Sequence, residues 1–154
     1  MEMCPPEKQS KPFFFHFRVA HDRKRPSFVR GAMNMTTSYI FDDNTDIAIE
    51  MASWSSRGGW KDNAFKIRLK RACFTAPQYL PTVYNTLKAT LFGETQCPWP
   101  PGAYYHPNVS MEIRFTLPVF YYGKYRADLG FTDHATNEME ACVRATIKVV
   151  PKTR

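Results

Sequence analysis

Phe65-Lys66-Ile67-Arg68-Leu69-Lys70 alternates apolar and basic residues without a break. Successive side chains of a strand point to opposite faces, so this period of two describes a strand with one buried face and one wet face. The same rhythm spreads outward on both sides. Upstream, Ile47, Ile49 and Met51 alternate with Ala48 and Glu50, and the loop Ser55–Gly59 joins the two runs. Asp42-Asp43-Asn44 is a turn before them. In Phe13–Ala20, Phe13, Phe15, Phe17 and Val19 share one phase, while His16 and Arg18 take the other. Ser27–Phe41 reads as a bent strand or strand pair with Val29, Met33, Met35, Tyr39 and Phe41 in phase. The charged turn His21–Pro26 precedes it.

The pattern changes after Cys73. Val83, Tyr84, Leu87 and Leu91 follow Leu80 at the spacings of one helix face, which predicts a helix over about residues 78–92. Pro77 or Pro81 suits its first turn and Gly93 its C-terminal cap. Cys97-Pro98-Trp99-Pro100-Pro101-Gly102 is rigid and irregular. Period two then returns in Met111–Leu117, Tyr125–Phe131 and Cys142–Val150. The expectation is a mainly β chain with one helical insert, as a single domain over residues 1–154. The 12 prolines, which break helices, suit that class.

The totals bound function as well as fold. The 154 residues allow one domain with a real core, and the balance of 44% apolar to 23% charged residues is that of a globular chain. A net charge of +7 favours anionic partners without choosing among them. No apolar run is long enough for a transmembrane helix, and Met1–Ser10 has no apolar core of a signal peptide. Cys4, Cys73, Cys97 and Cys142 form no C-x-x-C pair, so zinc and thioredoxin-like chemistry find no support. Four cysteines allow three pairings. With the sequons Asn34-Met35-Thr36 and Asn108-Val109-Ser110, glycosylation sites at Asn34 and Asn108, they favour an extracellular setting.

A particular order of residues then stands out. Cys73 precedes the amphipathic stretch, followed by Cys97-Pro98, Gly102-Ala103-Tyr104-Tyr105, Leu117-Pro118, Gly123-Lys124-Tyr125-Arg126 and Phe131-Thr132-Asp133. This order resembles the ML-type lipid-recognition superfamily, in its ganglioside-activator-like branch with the arthropod secreted and chemosensory members. The resemblance implies a cup or sandwich of two antiparallel sheets that holds a lipid between them. It also implies Cys73–Cys97 around the helix and Cys4–Cys142 tying the chain ends. The further cysteines that stiffen the rim loops of the ganglioside activator are missing here.

Inward-facing apolar residues are the candidate ligand site: Phe13, Phe15, Phe17, Ile49, Met51, Phe65, Ile67, Leu69, Leu87, Phe115, Leu117, Phe120, Tyr125, Leu129 and Phe131. Their bland alternative is an ordinary packed core. Leu117–Gly123 reads as a greasy loop at a cup rim or a membrane surface. Trp54, Trp60 and Trp99 lie near turns, as core caps or at the entrance. Arg23-Lys24-Arg25 and Lys66, Arg68, Lys70 and Arg71 are solvated faces or sites for an anionic membrane surface or a receptor. Nucleic acid is not expected as a partner, because the basic phase of Lys66–Lys70 lies opposite Phe65. No G-x-S-x-G, H-E-x-x-H or P-loop occurs, and no enzyme activity, metal or cofactor is expected. The function expected is a secreted carrier of a small apolar ligand. The alternative is a secreted interaction module with a filled core.

Overall fold

The computed structural model describes residues 2–5, 13–21, 23–25, 28–112 and 122–149. Among these, the elements run β1 (Glu2–Met3), β2 (Phe13–His21), β3 (Phe28–Thr37), β4 (Thr45–Ser55), β5 (Gly59–Leu69), α1 (Ala72–Tyr79), α2 (Pro81–Thr90), β6 (Gly102–Glu112), β7 (Gly123–Asp133) and β8 (Met139–Val149). They build two antiparallel sheets, one ordered β1-β8-β7-β4-β5 and the other β2-β3-β6. The chain is thus mainly β with two sheets. Two disulfides close it, Cys4–Cys142 and Cys73–Cys97.

The alternation carries through to burial. Phe17, Val29, Met33, Ile47, Ile49, Met51 and Leu69 are buried, while His16, Asn34, Lys66 and Arg68 on the opposite phases are exposed. Each sheet therefore has one apolar face, as half-buried antiparallel sheets require. The five-stranded sheet packs its face against α1, Tyr84 and Trp99. The three-stranded sheet packs against Val83, Leu87 and Leu91, from α2 and its end. Leu87 packs against both clusters, so α2 bridges the layers along one side.

Two boundaries depart from expectation. The helix expected over about residues 78–92 is two helices that meet at Leu80. The ring of Pro81 disfavours helical geometry at the preceding residue, and Leu80 sits at φ −129° and ψ 55°. Pro81 then opens α2, where its missing N–H costs nothing. α1 had no apolar stripe to betray it; only Ala72 and Ala76, one turn apart, are buried. Cys73 therefore lies inside α1, and its bridge to Cys97 spans both helices rather than bracketing one. Gly93 follows α2 at φ 58°, the left-handed geometry of a helix stop.

The second departure is β6, which begins at Gly102 rather than Met111. Pro107 masked it. The strand is an edge of its sheet, and the register against β3 slips between Gly31 and Met33. A bulge on an edge strand is where proline is tolerated. Across the same bulge, β2 and β3 approach so closely that a Cβ on Gly31 would stand 1.6 Å from the Arg18 carbonyl oxygen. Residues 113–117 of the expected strand Met111–Leu117 lie outside the described residues.

Candidate functional site

Between the two sheets the apolar faces do not meet everywhere. A hollow remains at the end of the sandwich where Ile47 pairs with Phe131 and where Thr37 closes β3. The space open to the centre of a water-sized sphere is about 130 Å³, within a hollow of about 1000 Å³ that includes its open mouth. The inner space is smaller than the roughly 300–1,000 Å³ of drug-sized ligand sites, so a small molecule or part of a larger one fits it.

Both sheets and the helices line it. Phe13 and Phe15 of β2 stack with ring centroids 6.5 Å apart, beside Met33, Met35 and Thr37 of β3. Opposite them stand Ile47 of β4, Leu129 and Phe131 of β7 and Val143 of β8. Leu80, Val83, Tyr84 and Leu87 close the flank.

Trp99 is the centre of the lining. It is buried and stacks on Phe92 at 4.0 Å, on Tyr84 at 5.2 Å and on Phe41 at 5.5 Å. Phe41 and Trp99 also exchange backbone hydrogen bonds of 2.9 and 3.0 Å. The indole N–H donates to the Thr95 carbonyl at 2.8 Å. The Cys97 N–H donates to the Tyr84 hydroxyl at 3.3 Å, and the Cys73–Cys97 bridge anchors the same segment to α1. The rigid stretch read in the sequence is therefore a wall, held by stacking on one side and a disulfide on the other.

Of the expected ligand residues, Phe13, Phe15, Leu87, Leu129 and Phe131 line the hollow. Phe17 is instead buried in the core of the three-stranded sheet. Ile49, Met51, Leu69 and Tyr125 are buried in the other core, and Phe65 and Ile67 pack at its edge. Phase assigns a face, but depth along the sandwich decides between cavity and core. Phe115, Leu117 and Phe120 lie outside the described residues, as do residues 117–121 of the expected rim loop. The ligand residues expected from the sequence did not include Met33, Met35, Tyr39, Phe41, Tyr84 and Trp99, which also line the hollow. The first four shared a legible apolar phase, whereas nothing local marked Trp99 as a lining residue rather than a cap.

The buried ion pairs are made by residues outside the lining of the hollow. Asp46, 1% exposed, accepts from Arg68 Nε at 2.9 Å and pairs with its guanidinium, and His134 Nδ1 stands 3.0 Å away. Burial alone would push the Asp46 carboxyl up, but the hydrogen bonds and charges of His134 and Arg68 outweigh it. Its pKa lies below the ordinary carboxylate value. His134 therefore meets Asp46 across the fold and not its neighbour Asp133. The pair pins the turn after β7 to β4, and no hydroxyl or thiol among the described residues hydrogen-bonds to the ring. Asp128 forms a two-pronged pair with Arg144 at 2.7 and 2.9 Å. It lies beside Cys4 and Cys142, whose sulfurs are joined to each other.

The outer face of the five-stranded sheet carries a second constellation. Trp54 and Trp60 are cross-strand partners at the β4–β5 hairpin, with ring centroids 5.3 Å apart. Lys124 Nζ lies 5.2 Å from the Trp54 ring, and the Arg126 guanidinium lies 5.2 Å from Trp60. The opposition of aromatic and basic phases holds for Phe65 but not for Trp60, which shares its phase with Lys66 and Arg68. No protein-family model matches the chain, and no curated protein matches it in sequence.

Proposed function

We propose that the protein is a non-enzymatic carrier, secreted into an oxidising compartment, that holds a lipid or other small apolar ligand between its two sheets. One observation carries this reading: the inner faces leave a hollow lined by aromatic, Met and aliphatic side chains from both sheets. Burial is the mechanism. Apolar ligand surface replaces water there, worth roughly 0.8 kcal/mol per methylene, and no bond is made or broken. The layout also fits what resemblance to the ML-type lipid-recognition superfamily implies. It has two antiparallel sheets, a helical insert tied by Cys73–Cys97 and chain ends tied by Cys4–Cys142. Two disulfides suit an extracellular setting, no helix among the described residues is long and apolar enough to cross a membrane, and the sequon residues Asn34 and Asn108 are both exposed.

The test is displacement of a neutral fluorescent probe, N-phenyl-1-naphthylamine, and mass spectrometry of an organic extract of the purified protein. Saturable binding is expected, with loss in Met35→Trp, which adds bulk at the lining while its circular dichroism stays that of the parent. A wild-type protein that yields no extractable ligand and ignores the probe overturns the reading.

A second reading, an interaction module for an acidic protein surface, is favoured by the outer face. Lys124 and Lys148 stand directly opposite each other across β7 and β8, a like-charge pairing that is unfavourable by itself. The exposed Trp54 lies under the same lysine. Binding to an acidic partner that weakens with salt and is lost in Lys124→Glu supports this reading. Equal loss of single-stranded oligonucleotide binding redirects it to nucleic acid.

A further inference from the structure

The chemical class of the ligand follows from what lines the hollow. Among the described lining residues none is charged, although the chain carries 21 Lys and Arg and 14 Asp and Glu. An ionised head group drawn inside would meet no counter-charge from them, and an isolated buried ion is among the costliest burials.

Two hydroxyls, Thr37 and Tyr39, stand two residues apart in the lining. Tyr39 is 9% exposed, and its hydroxyl makes no hydrogen bond to any described residue. The Tyr84 hydroxyl, also in the lining, accepts from the Cys97 N–H and keeps its own proton as a further donor. Burial, and then the charge of Glu140, hold the Tyr39 proton far above the usual phenol range, so the group is a donor at any working pH. Glu140 is itself buried, and its charge opposes an anionic head group near Tyr39. A donor in the lining that a bound ligand seals from water without offering an acceptor is costly; an oxygen on the ligand satisfies it.

Resting on the carrier reading above, we infer that the hollow takes a molecule without an anionic group, apolar except for one carbonyl, ester or ether oxygen, which accepts a hydrogen bond from the Tyr39 hydroxyl. Thr37 is a second hydroxyl in the lining; it also borders a shallow outer pocket with Phe14, Thr36 and Ser38.

Three compounds on one carbon skeleton test this by displacement of N-phenyl-1-naphthylamine at pH 8: butylbenzene, 4-phenylbutan-2-one and ionised 4-phenylbutanoate. The carboxylate is expected to bind at least about tenfold more weakly than the ketone. Tyr39→Phe is expected to weaken the ketone about three- to tenfold and leave butylbenzene unchanged or tighter. A carboxylate that binds the wild-type protein as well as the ketone overturns the inference, whether or not the variant folds. So does a folded Tyr39→Phe protein with unchanged ketone affinity. Binding of butylbenzene in either outcome leaves the carrier reading standing, and failure of all three compounds against a bound probe overturns the inference alone.

Discussion

Replacing Trp99 with alanine tests whether the wall of the hollow is held as described. The side chain is buried and stacks on three rings. Truncating a buried tryptophan costs about 3–5 kcal/mol. The upper part of that range applies here, because ring pairs add about 0.5–1.5 kcal/mol each beyond buried area and the Thr95 carbonyl loses its donor. A loss of about 4–5 kcal/mol is roughly a quarter or more of the stability of an ordinary domain. With an unfolding entropy near 2.1 cal/mol/K per residue, 154 residues give about 0.3 kcal/mol/K. Melting temperature should therefore fall by about 12–16 °C, read by calorimetry with both disulfides intact. Trp99→Phe keeps a stacking ring and loses the indole donor, so a fall of about 3–6 °C is expected. Indole at a hundredfold excess over its dissociation constant should return about 2.7 kcal/mol to the alanine variant. A fall under about 4 °C in Trp99→Ala, or no recovery with indole, refutes the role given to Trp99.

Further expectations follow from other parts of the fold. The lowered pKa of Asp46 is a depressed carboxylate, so its contribution to stability is full above its unfolded value, near 3.8, and is lost as pH falls through the folded value. Melting temperatures taken from pH 7 to pH 2 should drop steeply below about pH 4, and Asp46→Asn should start lower and flatten that limb. Gly31→Ala places a Cβ against the Arg18 carbonyl and should cost about 1–3 kcal/mol in urea unfolding. Gly58→Ala, with nothing within 4 Å of its Cβ, should be near neutral. Removing Cys4–Cys142, with a separation of 138 residues, should cost about 5 kcal/mol, against about 3.5 for Cys73–Cys97 with a separation of 24. The reverse order would show that the longer closure does not dominate.

Much of the fold was legible because alternation is a local signal. Phe13 to Phe17, Ile47 to Met51 and Phe65 to Leu69 disclose their buried face in a few residues. Local signals failed where tertiary partners decide. α1 rests on two small alanines that only become a packing face beneath β4, and β6 tolerates Pro107 because it is an edge strand with a bulge. The lining of the hollow was half legible for the same reason. Met35 and Leu129 show their phase, but not whether another sheet fills the space before them.

The sequence by itself determined most of the longer strands, with their inward faces, and the rough position of the helical insert, since each depends on neighbours within a few residues. The two-sheet pairing, the partners of Asp46 and Asp128 and the stacking of Trp99 were decided by contacts between distant segments. The hollow is the clearest case. Its existence depends on how far apart two apolar faces are held by α2 and by the wall at Trp99, a distance that no single strand encodes.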